Sequence, residues 1–176
     1  MTVIRKIAVT GPESTGKSWL TRYLADHYQT VYVPEYAREY IDRLDREYVR
    51  EDIANIAKGQ LLAEQDAMQK ARGLLFCDTE LIVTKIWSLH KYGSCDPWIT
   101  GQIANNPYDL VLLCDVDMPW EPDPQREHPH LRTFFFDWFL RELNGYGFHY
   151  HIIRGRGEER QENAIKAVED FLSEKG

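Results

Sequence analysis

With 176 residues, 43% of them apolar and 28% charged, the chain has the composition of one ordinary globular domain, large enough to bury a core without disulfides or a structural metal and far from disordered or fibrous sequences. A net charge of −7 argues against a broad nucleic-acid surface, which needs clustered Lys and Arg to release counterions, and leaves small molecules as the better partners. No apolar run approaches a membrane span and Met1 to Val9 is too short for a signal peptide, so a cytoplasmic protein is expected; Cys77, Cys95 and Cys114, odd in number and widely spaced, read as free thiols.

Ile4 to Thr10 is apolar and β-branched, as a buried strand should be. It runs into Gly11-Pro12-Glu13-Ser14-Thr15-Gly16-Lys17-Ser18, which fits G-x-x-x-x-G-K-[ST] at every defined position. The glycines let the backbone curl with its N–H groups inward, and a helix starting near Lys17 adds its positive dipole end. Gly11, Ser14, Thr15, Gly16 and Lys17 are thus predicted to cradle a triphosphate, with Lys17 on the β/γ-phosphates and Ser18 on Mg²⁺. Trp19 to Tyr28 follows with helical periodicity.

Thr30 to Val33 reads as a second strand closed by Pro34. Glu35, Tyr36 and Arg38 come next, at the carboxyl end of that strand, where ligands bind in open α/β sheets. For Glu35 a catalytic role competes with that of a simple helix-starting acid. Arg50 to Arg72 has a long amphipathic helical pattern in which Gln60, Glu64 and Gln65 are assigned to packing or solvent, and Gly73 is expected to stop it.

Leu74 to Asp78 is an apolar run ending in a carboxylate, the form in which a buried strand delivers an acid beside phosphates and Mg²⁺. Asp78 is therefore a candidate for catalysis, substrate contact and, with Ser18, metal binding; Thr79 or Asp78 is expected to cap the following helix, Leu81 to Tyr92. A short helix begins at Asp96-Pro97. Along these elements Trp87, Tyr92 and Trp98 are candidates, with Tyr36, for stacking on a flat substrate ring, against the alternative of core or surface filling.

Leu110 to Cys114 reads as the fourth strand. The segment 117–132 is polar and rich in proline, and is expected to act as a lid whose Arg126, and after it Arg132, closes over the phosphates. Leu131 to Leu143 is an aromatic-rich core helix ended by Asn144-Gly145, His149 to Ile153 the fifth strand, and Glu158 to Glu174 the last helix. Arg156, flanked by glycines, is placed for adenine contact. His128-Pro129-His130 lacks the further ligands of a metal cage.

The alternation of strands and helices predicts an α/β fold, a single P-loop domain over 1–176 with about five parallel strands, helices on both sides and a lid. Gly11 to Ser18, Pro34 to Glu39, Asp78-Thr79-Glu80, Lys91-Tyr92-Gly93 and the Asp115-to-Arg132 stretch together resemble the ribosylnicotinamide kinase domain of NadR-like proteins, over nearly the whole chain. The resemblance implies ATP- and Mg²⁺-dependent phosphorylation of nicotinamide riboside on its 5′-hydroxyl, a step of NAD salvage, without the adenylyltransferase or DNA-binding activities of multidomain members. Within it Glu35 is the first choice of general base and Asp78 the second. Two other readings stay open, a P-loop kinase for another small molecule and a non-catalytic ATP-binding regulator.

Overall fold

The computed structural model describes residues 3–105 and 108–175. Strands β1 (Arg5–Thr10), β2 (Tyr32–Val33), β3 (Leu74–Asp78), β4 (Leu110–Cys114) and β5 (Tyr150–Ile153) form one parallel sheet in the order β2-β3-β1-β4-β5. Helices α1 (Lys17–His27), α2 (Tyr36–Asp42), α3 (Arg50–Met68), α4 (Leu81–Tyr92), α5 (Pro97–Asn105), α6 (Arg132–Tyr146) and α7 (Glu158–Lys175) connect and cover it. β3 and β4 are buried along their whole length, which is why they read as unbroken apolar runs rather than as alternating ones. Successive side chains go to opposite faces: Ile7 and Val9 of β1 join Leu20, Leu24 and Phe171 of α1 and α7, whereas Ala8 joins the core beneath α3, α4, α5 and α6.

Because β1 has β3 on one side and β4 on the other, the strand order reverses at its carboxyl end, the place where open α/β sheets leave a crevice for ligands. The loops after β1, β2, β3 and β4 all open there. Among the described residues no helix is long and apolar enough to cross a membrane.

Several helix ends differ from the sequence expectation, each for a local reason. Neither Thr79 nor Asp78 caps α4; Glu80 does, its carboxylate accepting the Ile82 N–H at 2.5 Å. Thr79 instead sits at φ 70°, held by its N–H donating to the Val9 carbonyl at 2.8 Å, a left-handed conformation that is costly for a β-branched residue. α3 stops at Met68, four residues early, and α6 runs through Asn144-Gly145 to end on Gly147 at φ 71°. At the start of α3 the Asp52 carboxylate reaches back to the Val49 N–H at 2.7 Å and also binds Arg46 and Tyr40.

In the middle of α3, Gly59 makes room for the ring of Tyr36: a Cβ there would stand 2.0 Å from the Tyr36 Cε1. Beside it the Gln60 Oε1 accepts the Tyr36 backbone N–H at 3.2 Å, and the Gln60 Nε2 donates to Glu64 at 3.3 Å. Glu64 is buried, and also accepts from Lys6 at 3.0 Å and from the Tyr108 hydroxyl at 2.6 Å. This closed set of partners fixes the start of α2 against α3, in keeping with the packing role the sequence suggests for Gln60 and Glu64.

Candidate active site

The loop between β1 and α1 is drawn tightly against the sheet. Gly11, at φ 137°, lies so close to β4 that a Cβ on it would come within 2.8 Å of the Cys114 carbonyl oxygen, so no other residue fits. Gly16, at φ 76°, precedes the first turn of α1. Between them the Thr15 hydroxyl and the Lys17 Nζ both donate to the Pro12 carbonyl, each at 2.8 Å. Lys17 thus lies folded back over a loop whose N–H groups and helix end form a ready site for an anion.

Above this loop is a cavity of about 770 Å³, within the range of small-molecule sites. The loop itself forms its floor, Glu35 and Arg38 enter from α2, Trp87 and His90 from α4, and Arg126 from the proline-rich segment. Of the residues singled out in the sequence, Gly11, Ser14, Thr15, Gly16, Lys17, Ser18, Glu35, Arg38, Trp87 and Arg126 are brought together here. Asp78 lies just below, only 2% exposed. Its Oδ1 is buried without a partner among the described residues.

Glu35 retains a partly open face toward the cleft, yet burial pushes its carboxyl above the usual carboxylate range. Lys17 opposes that rise and Asp78 reinforces it. Burial raises Asp78 as well, against the Ser18 side chain and the charge of Lys17. Two carboxyls are therefore paired with one lysine at the end of β2 and β3, an arrangement of the kind found where protons are moved. Glu80, a further buried acid, is raised by burial to about 7, but it is turned inward to accept from the Thr10 hydroxyl at 3.0 Å.

The proline-rich segment lies down on the loop below β4. The Glu13 carboxylate accepts the backbone N–H groups of Glu127 at 3.3 Å and His128 at 3.2 Å, and the Ser14 hydroxyl accepts the Glu121 N–H at 2.8 Å. Arg126 reaches Ser14 at 3.4 Å and the carbonyl of Glu121, while Arg132, at the start of α6, donates to the carbonyls of Ser14 at 3.1 Å and Met118 at 2.8 Å. On the far side Arg38 binds Asp123 at 3.0 Å. Across the mouth, the Tyr48 hydroxyl accepts the Trp87 indole N–H at 2.9 Å and donates to Glu127 at 3.2 Å.

Besides Asp78 and Arg132, four further sequence candidates do not line this cavity. Tyr36 packs on Gly59 and Tyr40. Tyr92 lies under the Arg50 guanidinium at 5.4 Å, and Trp98 faces Lys58 at 5.6 Å. Arg156 is exposed, its Nε donating to the Asp117 carbonyl at 2.9 Å. Conversely Glu13, Trp19, Tyr48, His90 and Phe135 line the cavity without having been singled out. Glu13 stands at a free position of the motif, and Phe135 lies within an aromatic run that a core helix explains equally well; neither offers a separate signal.

A family model described as an AAA domain matches residues 6–160. The chain belongs to this family. Among relatives of this AAA domain, the trifunctional NAD biosynthesis/regulator protein NadR of Escherichia coli (strain K12) is 30% identical over 129 residues, 70% of this chain and 31% of that protein. The protein of the same name from Salmonella typhimurium matches to the same extent. The chain spans about a third of the length of these curated relatives. A crystal structure of NadR in complex with NR superposes with a TM-score of 0.81 at 27% identity, over 95% of this chain and 51% of the other. Thymidylate kinase from Ehrlichia chaffeensis, at 14% identity and a TM-score of 0.65 over 95% of this chain and 98% of its own, has the same fold. The five-stranded parallel sheet flanked by helices is thus that of the P-loop kinases.

Proposed function

We propose that this AAA domain transfers the γ-phosphoryl group of ATP to the 5′-hydroxyl of nicotinamide riboside, giving nicotinamide mononucleotide and ADP, as a cytoplasmic step of NAD salvage. The observation that carries the reading is the placement of the raised Glu35 carboxyl beside Lys17, in the cavity above the phosphate loop. The likeness to NadR bound to NR supports the choice of acceptor.

In this reading the triphosphate displaces Lys17 from the Pro12 carbonyl, and its Nζ then neutralises the β- and γ-phosphates together with the N–H groups of the loop. Ser18 and Asp78 supply oxygen donors, one of them the buried unpartnered Oδ1 of Asp78, a set that suits Mg²⁺. When bound, the ion neutralises charge on the phosphates. Glu35 accepts the proton of the 5′-hydroxyl as the new O–P bond forms and the bond to the ADP oxygen breaks. Arg38 orients the acceptor, Trp87 offers the ring a stacking face, and the segment 117–132 serves as a lid that carries Arg126 to the phosphates and excludes water.

The test is product formation from ATP, Mg²⁺ and nicotinamide riboside, resolved from a panel of other nucleosides. Mononucleotide should appear with the native chain and fall by a factor on the order of a thousand in Lys17→Ala, with an unchanged melting curve. No turnover of the riboside, with turnover of another nucleoside, removes the acceptor assignment and keeps the kinase.

A further inference from the structure

Trp19 is unexplained by the fold. It is the third residue of α1, and its side chain is 42% exposed although the sheet-facing positions of the same helix, Leu20 and Leu24, are fully buried. The core therefore has no need of an indole here. The ring lies along the helix surface, stacked on Tyr23 at 6.4 Å and 23°, and it lines the cavity that holds the phosphate loop. A Cβ placed on Gly16 would lie 3.0 Å from the Met118 Sδ and 3.9 Å from the Trp19 Cε3. Indole and thioether thus both approach the same glycine, at the point where the loop becomes helix.

That point has a chemical meaning. The N–H groups of Lys17, Ser18 and Trp19 open the helix and have no intrahelical acceptor. A triphosphate with its terminal groups in the loop brings its α-phosphate over them. The sugar and base attached to that phosphate then leave the loop beside residue 19. A flat heteroaromatic ring gains most from an aromatic face, and a thioether fills irregular space against such a ring.

We propose that Trp19 is the platform on which the base of the donor nucleotide stacks, with Met118 closing its edge, so that the chain discriminates among triphosphates by the area of their base. The proposal rests on the triphosphate reading of Gly11 to Ser18 and is independent of which acceptor is phosphorylated. It assigns the base to the α1 side of the loop, away from Arg156, whose Nε is engaged by the Asp117 carbonyl.

The experiment is calorimetric titration of the native chain, Trp19→Ala, Trp19→Phe and Arg156→Ala with AMP-PNP and, separately, with inorganic tripolyphosphate, in excess Mg²⁺ and without any riboside. Trp19→Ala is expected to weaken AMP-PNP about ten-fold or more, the loss typical of a removed base–aromatic stack. Trp19→Phe should retain most of the affinity, and tripolyphosphate should bind all four chains alike. Undiminished AMP-PNP binding by Trp19→Ala overturns the platform, as does an equal loss of both ligands or a loss confined to Arg156→Ala. A native chain that binds neither ligand overturns the triphosphate reading beneath it.

Discussion

Arg38 of α2 and Asp123 of the proline-rich segment are joined by two hydrogen bonds from one guanidinium nitrogen, at 3.0 and 3.2 Å, across the mouth of the cavity. Asp123 is held below the usual carboxylate range, first by the Gln125 backbone N–H and then by Arg38. Arg38 is 44% exposed, so the pair adds at most about 1 kcal/mol to global stability. Its effect is local. Asp123→Asn keeps an oxygen for the Gln125 N–H and removes the charge; backbone hydrogen exchange across 119–128 should quicken while the denaturation midpoint stays put. Unchanged exchange there would show that the contacts of Glu13 and Ser14 suffice.

Glu35→Gln preserves shape and hydrogen bonding but cannot take a proton. In the proposed reaction kcat should drop about a hundred-fold or more, with KM for both substrates within a factor of about two, since the side chain is asked to act chiefly in the transition state. The same kinetics with Asp78→Asn should instead show a higher Mg²⁺ requirement. If Glu35→Gln turns over normally and Asp78→Asn does not, the base is Asp78.

Glu80 gives a pH dependence of known sign. Its carboxyl is raised from an ordinary 4.5 to about 7 by burial, so between those values the folded chain keeps a proton that the unfolded chain has lost. Stability therefore falls as pH rises through this window. At 1.36 kcal/mol per pH unit the full effect is roughly 3 kcal/mol. Glu80→Gln removes it, so the variant should gain on the native chain in urea denaturation between about pH 5 and about pH 8. An identical difference at both ends means that the acid is solvated.

Gln60 is expected to act on the site through the chain it holds. Gln60→Leu leaves the buried side of the Tyr36 N–H without its acceptor, a loss of roughly 1–3 kcal/mol. Because Tyr36 follows Glu35, turnover should also fall, and the two losses should not add: Gln60→Leu placed on Glu35→Gln should cost no further kcat. Additive losses would mean that Gln60 affects stability and turnover by separate routes.

Much of this fold is legible in the sequence because its strands are buried on both faces and its loops carry strong punctuation. The run Ile4 to Ser18 announces strand, phosphate loop and helix in order, and α4 covers the Leu81 to Tyr92 its periodicity predicts, ending on Gly93 at φ 70°. The misplaced ends have physical causes. Asn144-Gly145 looks like a stop, but Gly tolerates a helical interior at a cost of about 1 kcal/mol, and the chain breaks only at Gly147. Thr79 looks like a cap, yet the strand's last hydrogen bond twists it out of that role.

The site divides in the same way. Residues fixed by the loop motif or by strand ends, such as Lys17, Glu35 and Asp78, are visible from local sequence alone. Tyr48, His90 and Phe135 reach the cavity from the connection before α3, from α4 and from α6, and only tertiary packing turns them toward it. Aromatic identity is a poor guide for the same reason: Trp87 faces the cavity while Tyr36, Tyr92 and Trp98 do not line it, though all four are equally suited to stacking by chemistry.

Gly59 sets a dimension. With nothing but hydrogen on its outer side, α3 lets the Tyr36 ring rest against the helix backbone, which sets how closely α2, with Glu35 at its start, can lie to α3. A methyl group at this one position, in a helix that does not line the cavity, would have to push the Tyr36 ring aside. The seat of the residue that follows Glu35 is therefore gauged by the smallest side chain in a helix that contributes nothing to the cavity wall.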